Sequence, residues 1–290
     1  MRRPIALRLA LLPLLLLAAG CAAKVDTGGG GGDAGPLPDD GTLVLRVSHV
    51  GGFVPPASLA TRVPMISVYG DGRVITEGPQ PAIFPGPALP NLQEQQISAD
   101  DVAELVDRAL RAGVGSPTDL GTPSVTDVPS TRITVWTAGG VRTTEAYALM
   151  EQVPASGLTA DQQAARRKLL DLVGALTDLP GTLGAAAVPD SRPYQPTRIA
   201  GVAAPWTPSG SAGVPEQVEV AWPGPALPGE PQGQGGELAC VVAEGVAAKA
   251  VMRAAGRATS ITPWTYDGRR WTIGLRPLLP DETSCADLSR

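Results

Sequence analysis

The feature that most restricts the possible folds of this chain is a tight-turn sequence between two short β-type segments. Residues 63–69 and 73–77 are rich in β-branched side chains and are joined by Gly70-Asp71-Gly72. Glycine readily adopts the positive φ that a tight hairpin turn needs. The spacing therefore predicts an antiparallel hairpin at this point in the chain.

A third strand is predicted at residues 42–50, where side chains alternate with a period of two. One face of this strand carries Leu43, Leu45, Val47 and His49, and the other carries Val44, Arg46, Ser48 and Val50. The segment that follows the hairpin, residues 79–91, is too rich in proline to form the interior of a strand. We expect it to be a loop.

Two helices are predicted from their capping residues and apolar spacing. Ser98 precedes two acidic residues and an apolar stripe with helical spacing, and Gly113 ends the stripe. Thr159 with Gln162 forms a second capping box before a leucine-rich helix that ends near Pro180. A further hairpin, residues 132–137 with 141–148, lies between the helices. Residues 42–180 are therefore predicted to form an α+β domain of mostly antiparallel strands with packing helices.

The last part of the chain, residues 181–290, is predicted to form a smaller α+β domain. Strands are expected at 194–204, 214–222 and 238–242, a helix at 243–255, and a hairpin at 261–266 with 270–276. Residues 84–90 and 222–228 share the sequence Pro-Gly-Pro-Ala-Leu-Pro after an aromatic residue. The two domains are either related by duplication or merely adjacent, with a chance repeat in a proline-rich chain.

The N-terminus has the layout of a secretory signal. Two arginines follow Met1, and a leucine-rich run at 9–19 is about half the ~20 residues that a transmembrane helix needs. Cys21 directly follows small residues, which resembles the lipobox of bacterial lipoproteins, although Ala18 stands where leucine is usual. The resemblance implies that residues 1–20 are removed and that the Cys21 thiol receives diacylglycerol, with fatty acyl chains such as palmitate. An ordinary secreted protein, cut nearby, is the alternative.

A glycine-rich segment at 21–41 has no apolar periodicity and is predicted to be a flexible tether after the lipidated cysteine. We therefore expect a protein anchored through Cys21 at the outer face of the cytoplasmic membrane. In that oxidising compartment the remaining cysteines, Cys240 and Cys285, are predicted to form a disulfide. Free thiols or metal ligands are the alternative, but neither a histidine nor a further cysteine lies at a suitable spacing.

The charge of the chain argues against several classes of partner. The formal net charge is −5, and no block of lysine or arginine follows the signal. A nucleic-acid-binding protein normally carries a basic patch, so we expect no nucleic-acid partner. Neither a cluster of metal-ligand residues nor a glycine-rich phosphate loop after a strand is present, so no metal and no cofactor are predicted.

Catalytic candidates are few. His49 is the only histidine, and a nucleophilic serine needs a base such as this one. On the apolar face of its strand, however, a buried and hydrogen-bonded structural histidine is the commoner interpretation. The Ser209–Gly213 loop lacks the leading glycine of a nucleophile elbow. Asp100-Asp101 and Asp39-Asp40 are explained by helix capping and by the tether.

Tryptophan is concentrated in the second half of the chain, at Trp206, Trp222, Trp264 and Trp271. If these side chains are exposed, they can stack on cell-wall glycans or anchor a protein partner. If they are buried, they fill a core that is short of other large residues. With only two phenylalanines in the chain, the second interpretation is favoured.

Three motifs resemble a family of uncharacterised bacterial secreted and lipoprotein domains. They are Val68-Tyr69-Gly70-Asp71-Gly72-Arg73-Val74, Ser98-Ala99-Asp100-Asp101 and Val125-Thr126-Asp127-Val128-Pro129-Ser130-Thr131. The resemblance covers residues 42–179. It implies a fold pattern and an extracytoplasmic setting but no activity. The cysteine that many members carry before the hairpin is missing here.

The sequence thus predicts a membrane-anchored, non-catalytic lipoprotein that binds an envelope protein or a cell-wall component. Two alternatives stay open: a hydrolase that uses His49 with a loop serine, and glycan binding through exposed tryptophans.

Overall fold

The computed structural model describes residues 36–151, 157–208, 217–233 and 237–289. The predicted signal, Cys21 and most of the predicted tether lie outside these residues. Within them the predicted α+β class is confirmed, because two antiparallel-dominated sheets are combined with helices.

The first sheet has seven strands in the order β6-β5-β1-β2-β3-β4-β7, and every pair is antiparallel. The strands are β1 Leu43–Val50, β2 Ile66–Tyr69, β3 Arg73–Glu77, β4 Leu92–Gln96, β5 Ser130–Thr137, β6 Gly140–Tyr147 and β7 Arg192–Pro193. The last of these comes from beyond residue 180, so the segment predicted as the second domain contributes an edge strand to the first sheet.

The predicted hairpin β2–β3 is present, and Gly72 in its turn has a φ of 86°. A Cβ at Gly72 would lie 2.2 Å from the carbonyl oxygen of Ile97. Both the positive φ and the close approach of the neighbouring backbone therefore require glycine here.

The helices of this half are α1 Pro56–Thr61, α2 Ala99–Arg111, α3 Ala160–Thr177 and α4 Leu179–Leu183. The predicted caps are confirmed: Ser98 and Thr159 each form a capping box. Helices α2 and α3 bury leucines and valines against Leu45 and Val47 on one face of the sheet. An irregularity between Leu43 and Leu45 breaks the alternation predicted for β1. It places Val44 with this core and Leu43 in a cluster with Tyr69 and Leu279.

The second sheet has six strands in the order β10-β11-β8-β13-β12-β9. The strands are β8 Arg198–Pro205, β9 Val220–Ala221, β10 Glu230–Gln232, β11 Leu238–Glu244, β12 Trp264–Tyr266 and β13 Arg269–Pro277. The helix α5, Gly245–Ala255, packs on β8 and β11, and a 3₁₀ helix, Cys285–Ser289, ends the described chain.

The two halves connect their strands differently. In the first sheet, β1 pairs with β5, which is the first strand of the hairpin that follows helix α2. In the second sheet, β8 pairs with β13, which is the second strand of the hairpin that follows helix α5. This difference in strand order argues against a duplication. Each Pro-Gly-Pro-Ala-Leu-Pro loop nevertheless contributes to the same second core, through Ala88, Leu89 and Leu227.

The C-terminal segment, residues 278–289, lies where the two sheets meet. The predicted disulfide is confirmed: Cys240 on β11 is bonded to Cys285 of the 3₁₀ helix. Helix α1 also contacts β8, β13 and the 3₁₀ helix. Its approach to β13 is close, because a Cβ at Gly274 would lie 2.8 Å from a methyl carbon of Thr61.

Candidate functional site

A cleft of about 650 Å³ opens between β1, α1 and the C-terminal segment. Its apolar lining comes mainly from α1, the residues beside it and the C-terminal half: Pro55, Ala57, Leu59, Val63, Leu238 and Leu288. Polar side chains of β1 and β5 form the opposite wall, among them Arg46, Ser48 and Arg132.

A second depression, the groove, continues from the cleft across the same face of the first sheet, and its volume is about 850 Å³. Arg46, Ser48 and Arg132 line both depressions. The groove runs towards residues 40–43, where the chain enters β1. The cleft and the groove therefore share one polar sheet face.

Strand register explains why these polar side chains lie together. Arg46 pairs with Thr134 and Ser48 with Arg132 across β1 and β5, while Thr134 pairs with Thr143 across β5 and β6. Residues two apart on a strand point to the same face, and cross-strand partners share that face. Helices α2 and α3 cover the other face, so this polar face is left to line the cleft and the groove.

The arginines on this face are paired. Arg46 donates from Nη2 to Asp281 at 2.8 Å and from Nε to Ser67 at 3.0 Å. The hydroxyl of Tyr69 also donates to Asp281, at 2.7 Å. Burial, followed by the charge of Asp281, raises the pKa of Tyr69, so this hydroxyl keeps its proton and remains a donor. Asp281 thus fixes the C-terminal segment to the first sheet.

Arg132 forms the second pair, with Glu145 on β6. Its Nε and Nη2 donate to one carboxylate oxygen of Glu145 at 3.2 and 3.1 Å. Both side chains are more exposed, at 38% and 44%, than those of Arg46 and Asp281, at 13% and 25%. This pair forms an accessible wall of the groove.

A buried ion pair supports the base of the cleft. Arg276 on β13 and Glu282 are each 3% exposed and form two hydrogen bonds, of 2.5 and 2.8 Å. Nε of Arg276 donates to the carbonyl oxygen of Arg62 at the end of α1, and Glu282 accepts from the backbone N–H of Leu279. Every charge here has a partner, which low-dielectric surroundings require.

His49 lines the cleft at the end of β1, on the opposite face from Ser48, and its register partner is Thr131. Its Nδ1 is buried and forms no hydrogen bond with a described residue. The prediction that His49 is a hydrogen-bonded structural histidine is therefore wrong for this atom. Burial and then the charge of Arg62 lower the pKa of His49, while Glu151 opposes them. The ring is therefore neutral near pH 7.

The catalytic candidates do not assemble with His49. Asp101 caps α2 together with Ser98, and Asp40 accepts from the backbone N–H of Thr42. The Ser209–Gly213 loop lies outside the described residues. No described serine or carboxylate accepts from or donates to Nδ1 of His49, so the nucleophile–base–orienting-group arrangement is not formed there.

The second-half tryptophans form a core. Trp222, Trp264 and Trp271 are buried, and the rings of Trp222 and Trp264 meet edge to face at 5.6 Å. These three side chains therefore cannot stack on a ligand, which corrects the alternative of an exposed tryptophan surface. Trp206 is half-buried beneath the guanidinium group of Arg270, at 5.3 Å.

Trp136 on β5 was not singled out from the sequence, yet it is the tryptophan that lines the groove. It is half-buried and packs beside the cluster of Leu43 and Tyr69. The signal was available in the alternation of β1 and β5. Arg46, Ser48 and Thr134 fall on the face opposite the apolar residues. Trp136 lies two positions after Thr134 on β5 and therefore points to the same face as these three residues.

Within the described ranges, no group of three or more metal-ligating side chains comes together, and no helix is long and apolar enough to cross a bilayer. Comparisons of the chain with protein families, curated proteins and solved structures found no match. The functional assignment therefore depends on the geometry of the cleft and the groove.

Proposed function

We propose that this chain is a lipid-anchored extracytoplasmic protein, held at the outer face of the cytoplasmic membrane through Cys21, that binds a ligand without transforming it. The ligand lies on the polar face of the first sheet, in the cleft and the groove. The predicted signal, the lipobox and the glycine-rich tether support the location.

The observation that carries the binding role is the pairing of the polar groups around the cleft and groove. Arg46, Arg132 and Arg276 each contact a carboxylate, and His49 is held neutral. Such a surface offers fixed donors and acceptors but no activated nucleophile or proton-transfer pair among the described residues. Binding is the function that this arrangement supports best.

The anchor is tested by metabolic labelling of the producing bacterium with an alkyne analogue of palmitate. We expect the wild-type chain to carry the label, to fractionate with membranes and to begin at Cys21 by mass spectrometry. A Cys21→Ala chain should lose the label and leave the membrane fraction. An unlabelled, cytosolic wild-type chain that keeps residues 1–20 would contradict the proposed location.

The non-catalytic role is tested with a panel of ester, amide and glycoside substrates and a His49→Gln variant. We expect no turnover above the uncatalysed rate by the wild-type protein. Turnover that disappears in His49→Gln, while the circular dichroism spectrum stays unchanged, would favour the hydrolase alternative.

A further inference from the structure

The groove is a candidate site for one chemical class of ligand. We propose that it binds a neutral, hydroxyl-rich oligosaccharide, with the indole ring of Trp136 as the stacking surface. This inference rests on the proposed binding function, and it names the ligand class and the residues that recognise it.

The charge of the groove selects against anionic ligands. Its lining has two guanidinium groups, Arg46 and Arg132, and three carboxylates, Asp40, Glu145 and Asp281. Hydrogen bonds from Thr42 lower the pKa of Asp40, so this carboxylate is charged near neutral pH. The formal sum is one negative charge, and both guanidinium groups already face carboxylates at 2.8–3.1 Å. A phosphate or a polyanion would meet no uncompensated positive charge.

The hydrogen-bonding groups match a ligand whose polar atoms both donate and accept. Each guanidinium has five N–H donors. The described protein atoms accept from only two nitrogens of Arg46, and likewise from two of Arg132. The hydroxyls of Thr42, Ser48, Thr134 and Thr143 line the same surface. Paired guanidinium and carboxylate groups can donate to one hydroxyl and accept from its neighbour, as sugars require.

Trp136 supplies the apolar contact. Three other tryptophans are buried in the second core, whereas Trp136 is half-buried and borders the groove. A partly exposed indole ring gives a large, rigid surface at low entropic cost. The apolar face of a pyranose ring can lie on it while the hydroxyls at the ring edge reach the arginines and threonines.

The size of the groove is compatible with several sugar units. Its volume of about 850 Å³ falls within the ~300–1,000 Å³ range of small-molecule sites. The groove is open at its surface and connects with the cleft through Arg46, Ser48 and Arg132. An oligosaccharide chain can therefore enter from solvent without a conformational change.

The test is isothermal titration of the mature protein, purified in detergent, with chitotetraose, cellotetraose, maltotetraose and mannotetraose. A heparin-derived tetrasaccharide is the anionic probe. We expect at least one neutral tetrasaccharide to bind, and Trp136→Ala to weaken that binding about tenfold, as the loss of one aromatic contact predicts. Glu145→Gln should weaken it by a similar factor.

Trp206→Ala is the matched control, because Trp206 is also half-buried but lies outside the groove, stacked on Arg270. Its affinity should equal that of the wild type, and circular dichroism should show that all variants are folded. The inference is overturned if no neutral tetrasaccharide binds at concentrations up to about 10 mM. It is also overturned if Trp136→Ala and Trp206→Ala bind equally well, or if the heparin fragment binds more tightly.

The two proposals fail separately. A lipid-anchored protein that binds none of the neutral sugars would refute the oligosaccharide and leave the proposed location intact. An unanchored cytosolic protein that binds them through Trp136 would refute the location alone.

Discussion

His49 is the residue whose ionisation the fold alters most directly at the cleft. Burial and the positive charge of Arg62 lower its pKa from the ordinary value of 6.5. The folded state therefore binds the proton less readily than the unfolded state does. The neutral His49 ring therefore contributes to the free energy of unfolding. This contribution is complete above pH 6.5 and is lost as the pH falls through the pKa of His49 in the folded state.

The first prediction follows from this linkage. Because His49 is the only histidine, one imidazole signal should titrate in NMR with a midpoint below 6.5. Arg62→Met should move the midpoint upwards by removing a like charge, and Glu151→Gln should move it downwards by removing an opposite charge. A wild-type midpoint at or above 6.5 would show that the ring is not desolvated.

At the scale of elements, a buried ion pair between Arg276 and Glu282 helps to hold the C-terminal segment against β13. Glu282→Gln leaves Arg276 buried at 3% exposure without a counter-charge. We expect the free energy of unfolding in urea to fall by about 3–5 kcal/mol, the usual effect of breaking a buried pair.

The matched control for this prediction is Glu244→Gln. Glu244 pairs with Arg198 at 2.7 Å, but their side chains are 58% and 35% exposed, far more than those of Arg276 and Glu282. Exposed pairs contribute roughly 0–1 kcal/mol, so this variant should remain close to the wild type. Equal effects in the two variants would mean that burial of the Arg276 pair has no energetic consequence.

Elements set by local patterns were predictable from the sequence. The hairpin at Gly72, the caps at Ser98 and Thr159, and the helix that ends near Gly256 all depend on residues within a few positions of one another. Strand β4 was not predicted because most of its side chains are polar. Its Glu94 is buried and forms an ion pair at 2.9 Å with Arg192, which lies 98 positions later in the chain.

The candidate site was less predictable for the same reason. The sequence places Arg46 and Ser48 on the face opposite the apolar residues of β1, but it does not say what faces them. Asp281 reaches Arg46 across 235 positions, and Trp136 becomes a groove residue only once β5 pairs with β1. Cys240 and Cys285 were predictable as a pair because elimination left only two cysteines.

For the whole molecule, the contacts between the sheets predict cooperative unfolding. Tyr69 bonds Asp281, and Tyr194 donates to the carbonyl oxygen of Leu278 at 2.9 Å. The loop before β4 also joins the second core, through the backbone bond from Ser260 to Gly86 at 2.9 Å. Neither sheet can unfold without exposing contacts of the other.

We therefore expect urea unfolding curves from far-ultraviolet circular dichroism and from tryptophan fluorescence to coincide. Fluorescence reports chiefly on the second core, where Trp222, Trp264 and Trp271 are buried, whereas circular dichroism reports on both sheets. Two separated transitions, with fluorescence changing first or last, would show that the sheets unfold independently.

The edge strands of the two sheets affect how copies of the protein associate at high concentration. Among the described strands, three of the four border strands are only two or three residues long: β7, β9 and β10. Two of them contain a proline, Pro193 and Pro231, which has no N–H to offer an incoming strand. The one long border, β6, bears Arg142 and Glu145. Short, proline-containing or charged edge strands therefore disfavour the joining of sheets from neighbouring copies into fibrils.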